Sequence, residues 1–172
     1  MSQPTPDIAV YAPRNFFQTV VGLYSFLKIR TMETYNLKSD LKVFGKEVTT
    51  FPLGVAEAFH ALINMIPGGS ARAYYGLSHM DKTGKIIYKA AAEEKYAGEA
   101  EKYNCERYII EKGEYLAVTI PDWRDKTDCI KDVFHDMMED NRADKTKDVV
   151  EWYKAETEMI CLVKAKERET IH

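Results

Sequence analysis

The chain has 172 residues, of which 45% are hydrophobic and 30% charged, with a formal net charge of −3. That size and apolar fraction suit one globular domain with its own core, and the mixed charge argues against a general nucleic-acid binder, which needs a concentrated basic surface. No stretch reaches the apolar length that spans a bilayer, and MSQPTPDIAVYAP lacks the basic opening and apolar run of a secretory leader, so a cytoplasmic protein is expected. Cys105, Cys129 and Cys161 are odd in number and form no CxxC pair, which points to reduced thiols.

Residues 1–13 contain Pro4, Pro6 and Pro13 and read as a disordered lead-in. In NFFQTVVGLYSFLKIRTMETY (15–35), Phe16, Val20, Leu23, Tyr24 and Leu27 recur at helical spacing behind Asn15, a good helix cap. Its β-branched residues and Gly22 also suit a strand. Neither repeat described below needs this segment, so residues 1–40 are set apart as an N-terminal extension. From residue 41, LKVFGKEVTTF is strand-like. VAEAFHALINMI then places Val55, Ala58, Phe59, Leu62, Ile63 and Ile66 on one helical stripe, which Pro67-Gly68-Gly69 stops. ARAYYGLSHM reads as a strand, DKTG (81–84) as a turn, and KIIYKAAAEE as the returning strand.

The second half repeats the order. RYIIEKGEYLAVTI is extended, with a break at Lys112-Gly113. PDWRDKTDCIKDVFHDMMED carries Ile130, Val133, Phe134, Met137 and Met138 on a helical stripe. After the polar NRADKTKD come two short strands, VVEWY and TEMICLVKAK, and residues 167–172 read as a frayed tail. Each half is thus strand, helix, strand, strand. Neither half can bury a one-sided sheet alone, so an α+β fold is expected: duplicated βαββ halves forming a curved antiparallel sheet with two main helices and a groove at the pseudo-two-fold joint.

Three stretches carry a resemblance: Tyr75-Gly76-Leu77, the return strand Tyr88-Lys89-Ala90-Ala91-Ala92-Glu93, and Glu151-Trp152-Tyr153 followed by Thr157-Glu158-Met159-Ile160. Over residues 41–166 the chain resembles the GyrI-like small-molecule-binding domains, the effector-binding domains of bacterial transcription activators, whose βαββ duplication is shared with the SOUL proteins. It departs from the pattern where alanine replaces a usual glycine in the return strand, and where the loop between the last two strands is short. The resemblance implies a pocket for lipophilic cations, with Glu151 as its central acid and Tyr153 beside it.

Alternation along a strand puts Val149, Glu151 and Tyr153 on one face and Val150 and Trp152 on the other. Val150 and Trp152 are the more apolar set and are expected to meet the helices, leaving Glu151 and Tyr153 towards a groove on the opposite side. An acid among aromatic rings offers charge pairing and cation–π contact together. Taken alone, the strand would better suit a solvent-facing glutamate; the resemblance favours the pocket. Tyr75, on the matching strand of the first half, is the next candidate, with Tyr74 pointing the other way. Tyr88 and Tyr115 are ligand contacts or packing residues, and Trp123 either hoods the groove or staples the start of the second helix. His60, His79, His135 and His172 lack metal-ligand spacing, and no phosphate-binding glycine loop or nucleophile elbow occurs, so neither metal nor cofactor is expected.

The leading function is a stand-alone binding protein for small lipophilic, cationic or aromatic compounds. Residues 1–40 are too short and insufficiently basic for a DNA-binding module, so direct nucleic-acid contact is not expected, nor is membrane association. Some GyrI-like proteins are hydrolases that open cyclopropane rings, and in that alternative Glu151 serves as general base or stabilises developing positive charge, with Glu158 as a second acid. A module with a protein partner is the third class.

Overall fold

The computed structural model describes residues 31–167, so the helix expected from residue 15 lies mostly outside the described residues. Eight strands form one antiparallel sheet: β1 (Glu33–Leu37), β2 (Leu41–Glu47), β3 (Tyr74–Met80), β4 (Ile86–Glu93), β5 (Glu106–Ile110), β6 (Gly113–Pro121), β7 (Val149–Ala155) and β8 (Glu158–Lys164). Their order across the sheet is β1-β6-β8-β7-β3-β4-β2-β5. Helix α1 (Val55–Met65) lies against β4, α2 (Glu99–Lys102) is a single turn, and α3 (Ile130–Glu139) lies against β8. The α+β class and the duplication are as expected, with β2-α1-β3-β4 repeated by β6-α3-β7-β8. The seam between the halves is the pairing of β3 with β7, where Gly76 stands opposite Glu151.

Both main helices form where the apolar stripe predicts. Val55, Phe59 and Leu62 are buried on α1, as are Ile130, Val133 and Met137 on α3. The start of the second helical segment differs, because Trp123–Cys129 winds as a 3₁₀ turn before α3 begins. Glu33–Leu37 also departs from the expected extension. These residues are a strand paired with β6 along its length, so the sheet includes part of the segment that the repeat left over.

The links between strands show how the sheet curls. β1 and β2 sit at or next to opposite edges, yet only Lys38, Ser39 and Asp40 join them, a span of at most about 14 Å. β5 and β6 are likewise on opposite sides, joined by two residues. The Lys112 amide donates to Asp40 Oδ1 at 2.8 Å, tying the two links together. The rings of Tyr35 on β1 and Trp152 on β7 are 5.9 Å apart although two strands intervene. In a flat sheet they would be about 14 Å apart. The sheet is therefore a half-barrel, and the face bearing Tyr35 and Trp152 is its inside.

This reverses the expected faces of β7. Val150 and Trp152 point into the half-barrel with Tyr75, Leu77, Tyr115 and Leu162. Tyr153 points to the outer face, into the core beneath the helices with Phe59, Tyr74, Tyr88 and Trp123, and Glu151 shares that face by alternation. Apolarity could not choose between the faces because both are covered, one by helices and the other by the curl.

Candidate functional site

The helices flank the seam, α1 over β4 and α3 over β8, and Glu151 lies between them on β7. Its side chain is buried, at 6% exposure. Two hydroxyls satisfy one carboxylate oxygen: Tyr153 donates to Oε2 at 2.5 Å and Tyr88 at 2.7 Å. The two hydroxyls are 3.2 Å from each other. Burial pushes the Glu151 carboxyl above the ordinary glutamate range, and the hydrogen bonds from Tyr153 and Tyr88 partly oppose this.

Aromatic rings enclose this group. Phe51 stacks on Tyr88 at 4.9 Å, while Phe59 and Trp123 each meet Tyr153 edge-on at 5.0 Å. Trp123 is 2% exposed, and among the described residues its buried indole N–H has no hydrogen-bond partner. Arg124 lies over the Trp123 ring at 4.9 Å and donates to the Glu156 carbonyl, fastening the 3₁₀ turn to the β7–β8 hairpin. The rings thus come from the strand-to-helix junction of each half, from α1, and from β4 and β7.

Gly76 makes room for the cluster. A Cβ there would stand 2.1 Å from the Tyr88 hydroxyl and 2.7 Å from Glu151 Oε2. Its backbone needs no unusual conformation; the close approach of those polar atoms is what demands glycine.

Of the six residues singled out in the sequence, Glu151, Tyr153, Tyr88 and Trp123 come together. Tyr75 and Tyr115 do not. They lie inside the half-barrel, where Tyr75 stacks with Trp152 at 6.3 Å and the Tyr115 hydroxyl donates to the Glu111 carbonyl at 2.6 Å. The reason is the same face reversal: on β3, which pairs with β7, Tyr74 rather than Tyr75 shares the side of Tyr153. Tyr74 is a packing residue whose hydroxyl donates to the Gly69 carbonyl at 2.7 Å. The sequence reading misses Phe51, although the repeat offers a signal for it, since both halves carry an aromatic residue within two positions of a proline at the strand-to-helix junction. In the sequence, the helical stripe marks Phe59 only as core. Among the described residues, no group of three His, Cys, Asp or Glu side chains could hold a metal ion, and no helix is long and apolar enough to cross a membrane.

No family model and no curated protein sequence matches the chain. Solved structures do. The integron cassette protein VCH_CASS2 from the mobile metagenome of Vibrio cholerae is similar, with a TM-score of 0.58 at 8% identity over 78% of this chain and 95% of that one. SAV2435 bound to tetraphenylphosphonium gives 0.57 at 14% identity, over 83% of this chain and 98% of that one. A putative bacterial transcription regulation protein from Staphylococcus aureus MU50 gives 0.50 at 11% identity, over 80% and 98%. At these identities the likeness is one of fold, and that fold agrees with the GyrI-like architecture.

Proposed function

We propose that the chain is a small-molecule-binding protein that takes lipophilic cations against Glu151. The observation that carries this reading is a buried carboxylate at the seam of the two halves, whose Oε2 accepts from two tyrosine hydroxyls and which is walled by Phe51, Phe59 and Trp123. A carboxyl held in that setting resists ionisation. An organic cation supplies the missing counter-charge, and the rings supply dispersion and cation–π contact. The fold neighbour SAV2435, which is bound to tetraphenylphosphonium, supports the ligand class.

The cluster is closed, so entry requires the rings to part. Trp123 is the element to move: it sits on a 3₁₀ turn instead of a regular helix, and its indole N–H has no partner to lose among the described residues. Titration calorimetry with tetraphenylphosphonium should show saturable binding that Glu151→Gln weakens by at least about tenfold, about 1.4 kcal/mol. Triphenylphosphine oxide, of similar shape but uncharged, should bind the native protein and the variant alike. Equal affinity of the two proteins for the cation would refute the role given to Glu151.

A further inference from the structure

A cavity of about 280 Å³ opens on the other face of the sheet, at the mouth of the half-barrel. Leu77 and Val150, paired across the seam, form part of its lining together with Tyr115. It is separated from Glu151 by the sheet itself. Three lysines line it, Lys89, Lys147 and Lys164, against two carboxylates, Glu111 and Asp148, an excess of one positive charge.

The excess resides on Lys164. Lys89 pairs with Asp148 at 2.9 Å, and Lys147 pairs with Glu111 at 2.8 Å. Lys164 is 8% exposed, and among the described residues no carboxylate lies within ion-pairing distance of its Nζ. That nitrogen donates to the Lys112 carbonyl and lies 4.8 Å from the centre of the Tyr115 ring. A carbonyl and a ring face only partly replace the hydration that a buried ammonium loses. A cationic lysine on an inward-facing position of a β-strand is expensive unless something negative meets it. Mouths of β-barrels are common places for small ligands, and mostly apolar walls with a few placed charges are their usual lining.

We propose that this cavity is a second ligand site, which takes a small apolar monocarboxylate with its carboxylate on Lys164 and its body against Leu77, Val150 and Tyr115. One excess charge calls for a monoanion, and the part of the otherwise mixed lining formed by Leu77, Val150 and Tyr115 offers a hydrocarbon body a surface that a bare inorganic ion would not use. Lys147 is half exposed at the rim, where reversing its charge would set two carboxylates against an incoming anion.

Benzoate titrated into the full chain and followed by amide chemical shifts should move the signals of Leu77, Val150 and Lys164 saturably. Benzyl alcohol and benzylamine should not, and inorganic phosphate should do so at least about tenfold more weakly. Lys164→Met should weaken benzoate by at least about tenfold, and Lys147→Glu, a surface change that does not endanger folding, by several-fold. Glu151→Gln should leave benzoate affinity unchanged, which separates this site from the cation site. The proposal fails if benzoate, phenylacetate and hexanoate all leave those signals in place, or if either lysine variant binds benzoate like the native protein. It fails equally if Glu151→Gln abolishes benzoate binding, since one shared site would then explain both ligands.

Discussion

At the scale of single residues, Glu151 trades stability for a poised charge. Its folded carboxyl holds a proton more tightly than the ordinary glutamate value of 4.5, because burial penalises the anion. Such a group favours folding at low pH and withdraws that contribution as pH rises above 4.5 and through its higher folded value. Glutamine does not titrate. The melting temperature of Glu151→Gln should therefore climb relative to the native protein as pH increases, and a gap that is constant with pH would show that the acid is not held as described. Tyr153→Phe should raise the Glu151 carboxyl further, since it deletes a donor that favours the anion; a carbonyl-carbon NMR titration reads this directly. Gly76 gives a sharper geometric test. Gly76→Ala should cost about 1–3 kcal/mol by overpacking. Tyr88→Phe removes the hydroxyl that stands 2.1 Å from the added methyl, so the double variant should lose less than the sum of the two single losses in denaturant melts.

At the scale of elements, the first half is anchored by an ion pair that no motif announced. Arg72, just after the 3₁₀ turn at Gly69–Ala71, donates to both oxygens of Glu99 at 2.5 and 2.6 Å and to the Glu93 carbonyl at 2.9 Å. Glu99 in turn accepts the Lys95 and Tyr96 amides at 2.9 and 3.1 Å, which organises the start of α2. Both side chains are 6% exposed. Arg72→Ala strands a buried carboxylate and should cost about 3–5 kcal/mol. The Arg72 guanidinium holds the Glu99 carboxyl down at about 2, so its contribution is full above 4.5 and disappears as pH falls towards 2. Urea melts of Arg72→Ala across that window should show a flatter loss of stability than the native protein does.

The helical stripes, the strand order within each half and the DKTG turn were legible because each rests on local periodicity or turn chemistry. In that turn, Asp81 Oδ1 accepts the Thr83 and Lys85 amides. The Arg72–Glu99 pair was not legible, because its partners are 27 positions apart and neither belongs to a pattern. Glu151 and Tyr153 were identified as a pair, but their face was reversed. Alternation says which residues go together, whereas only the curl of the sheet decides which set meets the helices.

At the scale of the whole molecule, the two halves are interlocked, not merely side by side. β1 precedes the first half in the chain but pairs with β6 of the second, and β5 precedes the second half but pairs with β2 of the first. Each half therefore completes the sheet of the other, and the short links through Asp40 and Lys112 hold the crossed strands in place. The seam adds backbone pairing from Tyr74–Ser78 to Val149–Tyr153, with Tyr88 bonded across it to Glu151 and Tyr153. Neither half can open without exposing unpaired strand edges and the apolar faces of both cores, so partial unfolding saves little and costs nearly as much as global unfolding. The described domain should accordingly melt in one transition, with calorimetric and van't Hoff enthalpies in agreement. A chain cut to residues 41–93 retains β2, α1, β3 and β4 but loses the pairing of β3 with β7 and of β2 with β5. It should give the collapsed amide dispersion of an unfolded peptide. Two resolved transitions in the full chain, or a folded spectrum from the isolated half, would show that the duplication has left two independent units and that the seam carrying Glu151 is a contact between domains.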